Sequence, residues 1–385
     1  MQNFTYQNPT KIIFGKGEIA KLKEEVPSNY KILMVYGGGS IKKNGVYDQV
    51  MEALSEHTVL EMGGVPPNPE FEVLMEGVDL IHKEKIDYIL AVGGGSVIDG
   101  VKFMSAATKF EGDKWEMVKS RATIKDALPF ATVLTLPATG SEMNSGFVVS
   151  RRETKEKLSM GSPLLFPQFS ILDPTVIQSI PERQVVNGIV DAFNHVLEQY
   201  MTYPIGADLQ DRFAESILST LIHEAPKVLE DRNNYEAASN FMWSCTMALN
   251  GLISQGVPTD WAVHSMGHEL TALFGIDHAR TLAIIGPNHY RHNFEAKKDK
   301  LAQFAERVWD INSGSVEEKA KQSIAKMEEF YHRLGVQTKL SEYTEDYEDT
   351  AETIEKRFNE RGWLGIGENQ IVKPSDAKQI VEMSY

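Results

Sequence analysis

The sequence predicts an α/β domain built on a parallel sheet, followed by an all-helical domain, and three observations carry that reading. Short β-branched runs alternate with helical patterns through the first half, two of those runs end on a triple glycine, and β-rich runs nearly vanish after Asp173-Pro174. Strand, helix, strand, helix in succession is the pattern of a parallel sheet with helices on its faces. The change of texture places the boundary at 177/178, giving domains 1–177 and 178–385.

The first clear strand is Lys31 to Tyr36, which stops at Gly37-Gly38-Gly39-Ser40. A helix over about 44–56, a strand from Thr58 to Met62, the turn Pro66-Pro67-Asn68-Pro69 and an amphipathic helix over 70–84 follow. Tyr88 to Val92 is the next strand, and it runs into Gly93-Gly94-Gly95-Ser96 ahead of a helix over 97–108. Further strands are expected at Ala131 to Thr135, Phe147 to Ser150 and Phe169 to Leu172, and from about Pro181 onward the apolar residues recur at helical spacing.

Composition supports a folded protein and removes several functions. Of 385 residues, 42% are hydrophobic and 24% charged, a globular balance with no low-complexity tract. With 39 basic against 54 acidic side chains the formal charge is −15, so nucleic acid is not an expected partner. The acidic run from Ser341 to Asp349 reads as a solvated surface segment. The single cysteine, Cys245, cannot form an internal disulfide and its apolar flanks read as buried helix. The N-terminus lacks the pattern of a signal peptide and no apolar run reaches the roughly 18 residues of a membrane span, so a cytoplasmic location and no membrane partner are expected.

A triple glycine after a strand lets backbone amides approach a ligand closely, and the helix that follows presents unpaired N–H groups, a natural phosphate site. Neither turn is a G-x-G-x-x-G fingerprint, because Ile98 stands where the third glycine should be, and no Walker A pattern is present. Either turn alone also reads as a tight strand-to-helix connection. Two at the carboxyl ends of neighbouring parallel strands would mark the place where open α/β sheets bind ligands. For Asp99 and Lys102 a solvated i,i+3 pair is the plain reading, and their spacing alone decides nothing. Thr135, Thr139, Ser141 and Asn144 form a hydroxyl- and amide-rich loop that suits a polar ligand or an ordinary turn.

In the helical half, Asp191 and His195 stand at i,i+4 in an apolar stretch and so project from one helix face. Such a pair is costly facing a core unless it is hydrogen-bonded internally or bound to metal. Five of the ten histidines, His264, His268, His278, His289 and His292, fall within 29 residues, the first two again at i,i+4. His278 follows a loop containing Gly275 that could fold back toward the start of that helix. One carboxylate and three imidazoles suit a borderline divalent metal such as Zn²⁺ or Fe²⁺. No H-E-x-x-H motif is present, so metalloprotease chemistry is not indicated. His289 and His292 read as surface residues of a polar loop, and His57, His82, His223 and His332 have no partners in sequence.

Taken together, these segments resemble the iron-containing (group III) alcohol dehydrogenases, most closely the branch of NADPH-dependent aldehyde reductases and butanol dehydrogenases. The likeness runs essentially the full length, from Asn8-Pro9-Thr10-Lys11-Ile12-Ile13-Phe14-Gly15-Lys16-Gly17 through Gly93-Gly94-Gly95-Ser96-Val97-Ile98-Asp99 to the histidine region. The resemblance implies a Rossmann-like nucleotide domain within a dehydroquinate synthase-like architecture. It implies Asp191, His195, His264 and His278 as metal ligands, and it assigns His268 to substrate contact or proton relay. For the dinucleotide it implies pyrophosphate on Gly94, Gly95 and Ser96, ribose and nicotinamide contacts from Asp99, Thr135, Thr139, Asn144 and Lys157, and an adenosine end near Gly37, Gly38 and Ser40. Lys157 would otherwise pass for one more surface charge.

The first strand ends on Gly37 with Ser40, Lys42 and Lys43 just after it and no carboxylate to repel a 2′-phosphate, so NADP(H) is favoured over NAD(H). The activity implied is reversible hydride transfer between the nicotinamide and a short- to medium-chain aldehyde such as butyraldehyde, with one bound divalent ion, Fe or Zn, as Lewis acid. Trp243, Trp261 and Phe274 read either as an apolar pocket wall or as core. A homodimer is implied by the same resemblance. The alternatives are a glycerol dehydrogenase- or dehydroquinate synthase-like enzyme of the same fold, or a non-catalytic metal- or nucleotide-binding protein. Net acidity and the lack of an Arg and Lys cluster weigh against the synthase.

Overall fold

The computed structural model describes residues 1–385 and divides into two compact units. One comprises 7–185 and 227–250, the other 1–6, 186–226 and 251–385. In chain order the elements are β1 (Lys11–Phe14), α1 (Leu22–Glu25), β2 (Lys31–Tyr36), α2 (Val46–Ala53), β3 (Thr58–Met62), α3 (Phe71–Glu84), β4 (Tyr88–Gly94), α4 (Gly95–Lys109), α5 (Lys114–Lys119), β5 (Phe130–Leu136), β6 (Gly146–Arg151), β7 (Glu156–Gly161) and β8 (Phe169–Leu172). They continue as α6 (Glu182–Tyr200), α7 (Asp208–Glu230), α8 (Tyr235–Ala248), α9 (Ala262–Phe274), α10 (His278–His292), α11 (Phe294–Val308), α12 (Val316–Arg333), α13 (Thr350–Glu360) and α14 (Pro374–Glu382).

Six strands of the first unit form one parallel sheet in the order β1-β8-β5-β4-β2-β3. The run Ile32-Leu33-Met34-Val35-Tyr36 of β2 and the run Tyr88-Ile89-Leu90-Ala91-Val92 of β4 are buried throughout. Such continuous apolar runs are what a strand covered on both faces requires. Because β2 and β4 are neighbours, the two glycine turns leave adjacent carboxyl ends, as the sequence predicts. The strand expected at Phe147 to Ser150 forms, but as β6 it pairs antiparallel with β7 in a separate hairpin. The polar β7 and the four-residue β1 escape sequence reading because neither shows a sustained apolar period.

The second unit is helical, and no helix in the chain is long and apolar enough to cross a membrane. Its core gathers Val263, Met266 and Leu270 of α9 with Leu282, Ile284 and Ile285 of α10 and Ile354, Phe358 and Ile380 of α13 and α14. Phe274 packs against this cluster as a partly buried member. The expectation that His289 is a surface loop residue is overturned: α10 continues through Pro287, and His289 is fully buried. The Gly286-Pro287 pair argues locally for a break, yet the proline removes only one N–H while the surrounding apolar residues gain burial on both sides. Cys245 is buried in α8, as expected.

Candidate metal centre and nucleotide turns

Helix α6 carries Asp191 and His195 one turn apart, both buried. Oδ1 of Asp191 stands 3.9 Å from His195 Nε2 and 3.8 Å from His278 Nε2. These separations exceed a hydrogen bond but suit donors converging on one ion. Asp191 Oδ1 is buried and accepts no hydrogen bond, an expensive condition for a carboxylate without a cation. Asp191, His195 and His264 offer ligand atoms that all lie within 4.8 Å of one another. The rings of His195 and His264 stack with centroids 4.8 Å apart, and the His278 ring centroid is 5.2 Å from that of His264. The donor set therefore fits a divalent ion.

The approach of α9 and α10 explains how residues far apart in sequence meet here. Gly267 of α9 leaves room for Thr281 of α10, whose Oγ1 lies 2.9 Å from where a Cβ would stand. Asn187 on α6 donates to Asp277 Oδ2 at 2.9 Å, tying the start of α10, and with it His278, beside the first turns of α6. His268 sits one turn beyond His264, half-buried, its ring 4.9 Å from that of His278. Trp261 lies 5.2 Å from the His264 ring and 6.3 Å from that of His195. Its φ of 67° is a left-handed conformation that a bulky residue holds only when its surroundings impose it. Trp243 is 40% exposed and meets Phe14 edge-on, so it belongs to no core.

Sequence reading missed the buried charges behind His264. Glu198, on the same face of α6 as Asp191 and His195, accepts from His264 Nδ1 and from the backbone N–H groups of Val263 and His264 at 2.7 and 3.0 Å. Burial, and then the Asp260 carboxylate, push the Glu198 carboxyl up, while the N–H groups of Val263 and His264 favour its ionised form. Asp260 lies 3.6 Å from His289 Nε2 and accepts from Lys297 at 2.8 Å, while Lys297 also donates to Glu368 at 2.7 Å. The i,i+4,i+7 spacing of Asp191, His195 and Glu198 was the available signal.

In the first unit, β4 passes directly into α4 through Gly93-Gly94-Gly95, and no side chain caps the helix. A Cβ on Gly95 would lie 3.0 Å from Thr139 Cβ and closer still to the rest of that side chain, so Thr139 and the turn pack without space for any larger residue. The spacing of Asp99 and Lys102 leaves their role open, and they are not a solvated pair. Lys102 is fully buried and donates to Ser141 Oγ, Asn144 Oδ1 and the Gly146 carbonyl at 2.8, 2.8 and 2.7 Å. Ser141 in turn donates to Asp99 Oδ1 at 2.6 Å, and the Val148 N–H donates to Oδ2 at 2.9 Å. Spacing along one helix could not disclose that the 139–148 segment covers it. Burial pushes the Lys102 ammonium down to about 8 and raises the Asp99 carboxyl.

Lys157 of β7 is buried and donates to Asn68 Oδ1 at 2.8 Å, while Thr135, Thr139 and Asn144 are half-buried. At the first turn, Gly38 and Ser40 are exposed and Gly37 accepts from the Gly64 N–H at 2.9 Å. A carboxylate does reach this edge: Glu61 of the neighbouring β3 accepts from Tyr36 at 3.0 Å, Tyr47 at 2.5 Å and Lys42 at 2.9 Å. The Tyr47 hydroxyl first, then Lys42, hold its pKa below the usual carboxylate value.

Two family descriptions match the chain: iron-containing alcohol dehydrogenase over residues 9–174, and the C-terminal part of the Fe-containing alcohol dehydrogenase family over residues 185–378. The chain belongs to the iron-containing alcohol dehydrogenase family. It is 48% identical to the NADPH-dependent aldehyde reductase YqhD of Escherichia coli K12, over 99% of each chain. It is 45% identical to a probable NADH-dependent butanol dehydrogenase of Bacillus subtilis, over 95% of each. The crystal structure of E. coli YqhD superposes with a TM-score of 0.98 at 47% identity, covering 100% of this chain and 99% of that one. An NADH-dependent butanol dehydrogenase from Thermotoga maritima gives 0.94 at 34% identity, covering 100% and 99%. This iron-containing alcohol dehydrogenase is thus a metal-dependent oxidoreductase that works with NAD(P)(H).

Proposed function

We propose that the chain reduces short- to medium-chain aldehydes with NADPH, reversibly, and holds one divalent ion, Fe or Zn, on Asp191, His195, His264 and His278. The buried Asp191 Oδ1 facing imidazole nitrogens at 3.8 and 3.9 Å carries the metal assignment. The NADPH preference is supported by the 48% relative, whose name is NADPH-dependent, and by Lys42, while a 45% relative is named NADH-dependent. We further propose a homodimer in the cytoplasm, with the dinucleotide carried by 1–177 and the metal by 178–385.

When bound, the ion would polarise the substrate carbonyl as a Lewis acid and the nicotinamide would supply the hydride. Every other part is played by side chains and amides of this chain. Gly94, Gly95 and Ser96 at the uncapped start of α4 bind pyrophosphate through backbone N–H groups. Asp99, fixed by Ser141 and Val148, orients the ribose hydroxyls together with Thr135, Thr139, Asn144 and Lys157. Gly37, Gly38 and Ser40 take the adenosine end. His268 contacts the substrate and passes a proton to the alcohol oxygen, so that aldehyde, NADPH and one proton give alcohol and NADP⁺. Trp261 walls the histidines with an apolar face.

The test follows loss of NADPH or NADH absorbance with butyraldehyde before and after chelation and metal readdition. Metal-dependent oxidation with NADPH preferred is the expected result. A metal-filled protein that turns over no aldehyde with either nucleotide would overturn the proposal.

A further inference from the structure

Glu198 touches no part of the proposed substrate or nucleotide sites, yet its buried carboxylate takes three N–H groups from a single turn of another helix. Its main-chain carbonyl accepts from the Asp260 N–H at 2.8 Å. Its carboxylate accepts from the Val263 N–H on one oxygen, and from the His264 N–H and ring Nδ1 on the other. These donors fall in one short stretch, the turn that opens α9. Trp261, at the capping position of that helix, has no side-chain oxygen to satisfy first-turn N–H groups. Only Asp260, which accepts from the Ala262 N–H at 3.0 Å, assists locally. A residue of α6 therefore supplies the cap for α9.

The same carboxylate decides which nitrogen of His264 carries the proton. An imidazole with its Nδ1–H directed at a carboxylate presents Nε2 as a lone pair, and a metal ligand needs that form. Asp191 and His195 come from α6 and His264 from α9, so the residue that joins those helices also sets the distance between their donors. Lys297, with Asp260 and Glu368 on either side and the Met201 carbonyl beneath, closes the charge behind the turn.

We propose that Glu198 is a positioning residue for the metal centre: it clasps the start of α9 to α6 and fixes His264 as an Nε2 donor. This inference rests on His264 being a ligand, and the experiment separates the two. Co²⁺ affinity of the apoprotein is measured by chelator competition for the wild type, E198Q and H264N, with melting of each metal-free protein as the folding control. Glu198→Gln is expected to bind Co²⁺ about 10- to 100-fold more weakly and to alter its visible spectrum, while melting close to the wild-type apoprotein. Wild-type affinity and spectrum in E198Q, with binding lost in H264N, would overturn the role of Glu198 alone. Wild-type affinity in H264N would overturn the ligand assignment beneath it. Should E198Q fail to fold, ¹⁵N-histidine spectra of the Zn²⁺-loaded wild type decide the matter, with the His264 signal assigned by its loss in H264N. A proton on Nδ1 supports the proposal and a proton on Nε2 overturns it.

Discussion

Asp191 Oδ1 and His278 Nε2 stand 3.8 Å apart, brought together from α6 and from the first residue of α10. At that distance neither group satisfies the other, so the pair is stable only with a cation between its atoms or at the cost of a buried, unsatisfied oxygen. Asp191→Asn keeps the shape and removes the charge. The expected outcome is metal content near zero after dialysis and a fall in turnover of about 10³-fold, corresponding to several kcal/mol of lost charge stabilisation. The wild type should also melt higher when metal is added, by about 2.7 kcal/mol of linkage at one hundred times Kd, and D191N should not. A variant that retains one tightly bound ion per chain would remove the carboxylate from the donor set.

Substitution of His268 tests whether chemistry and metal binding are carried by different histidines. Its ring is 4.9 Å from that of His278, and both are half-buried, whereas Asp191, His195 and His264 are buried with ligand atoms within 4.8 Å of one another. His268→Gln is expected to keep the wild-type metal content and lower kcat by about 10²- to 10⁴-fold, with one limb of the pH profile lost. Metal analysis alongside kinetics checks both halves. Lost metal would make His268 a ligand, and unchanged kcat would end its role in proton transfer.

Lys102 gives a pH prediction with a definite sign. Its ammonium is buried and its pKa falls from 10.5 to about 8, mainly through desolvation, with the Asp99 charge opposing. Between those values the unfolded chain binds the proton more tightly than the folded one, so stability gained from this group is full above pH 10.5 and is lost as pH falls through about 8. Compared with K102M, the wild type should therefore become relatively more stable as pH rises across that window, by up to ~3 kcal/mol in all. Urea unfolding of both proteins at several pH values reads the difference directly. A constant difference would mean that Lys102 titrates as an exposed lysine does.

Much of this was legible in the sequence, for identifiable reasons. The sheet strands β2 and β4 carry their own burial pattern, and the glycines after them declare a turn whatever surrounds it. Asp191 and His195 stand out because chemistry and helical period coincide within one element. What stayed hidden depends on a second element. The burial of Lys102 is set by the segment that brings Ser141, Asn144 and Gly146 over it, and His289 is placed by packing that outweighs the local signal of Pro287. Glu198 lay on the face already singled out, but its partners start α9, and nothing in the α6 sequence names them.

Glu61 is the case with a functional consequence, because strand order rather than local sequence puts a carboxylate beside the Gly37 turn. Parallel pairing of β2 with β3 sets Val35 opposite Met62 and Met34 opposite Glu61, just ahead of that turn. Lys42 meets the charge at 2.9 Å, and hydrogen bonds to Tyr36 and then Glu61 raise its own pKa. Under the NADPH proposal, Lys42 compensates this edge so that it accepts a 2′-phosphate, and without Lys42 the Glu61 charge would repel one. Lys42→Ala is therefore expected to lower kcat/KM for NADPH relative to NADH by about 10-fold, and E61Q added to K42A should recover part of that ratio. The measurement is kcat/KM with each nucleotide at saturating aldehyde for the wild type and both variants. Equal losses with NADPH and NADH would show that this edge carries no phosphate discrimination.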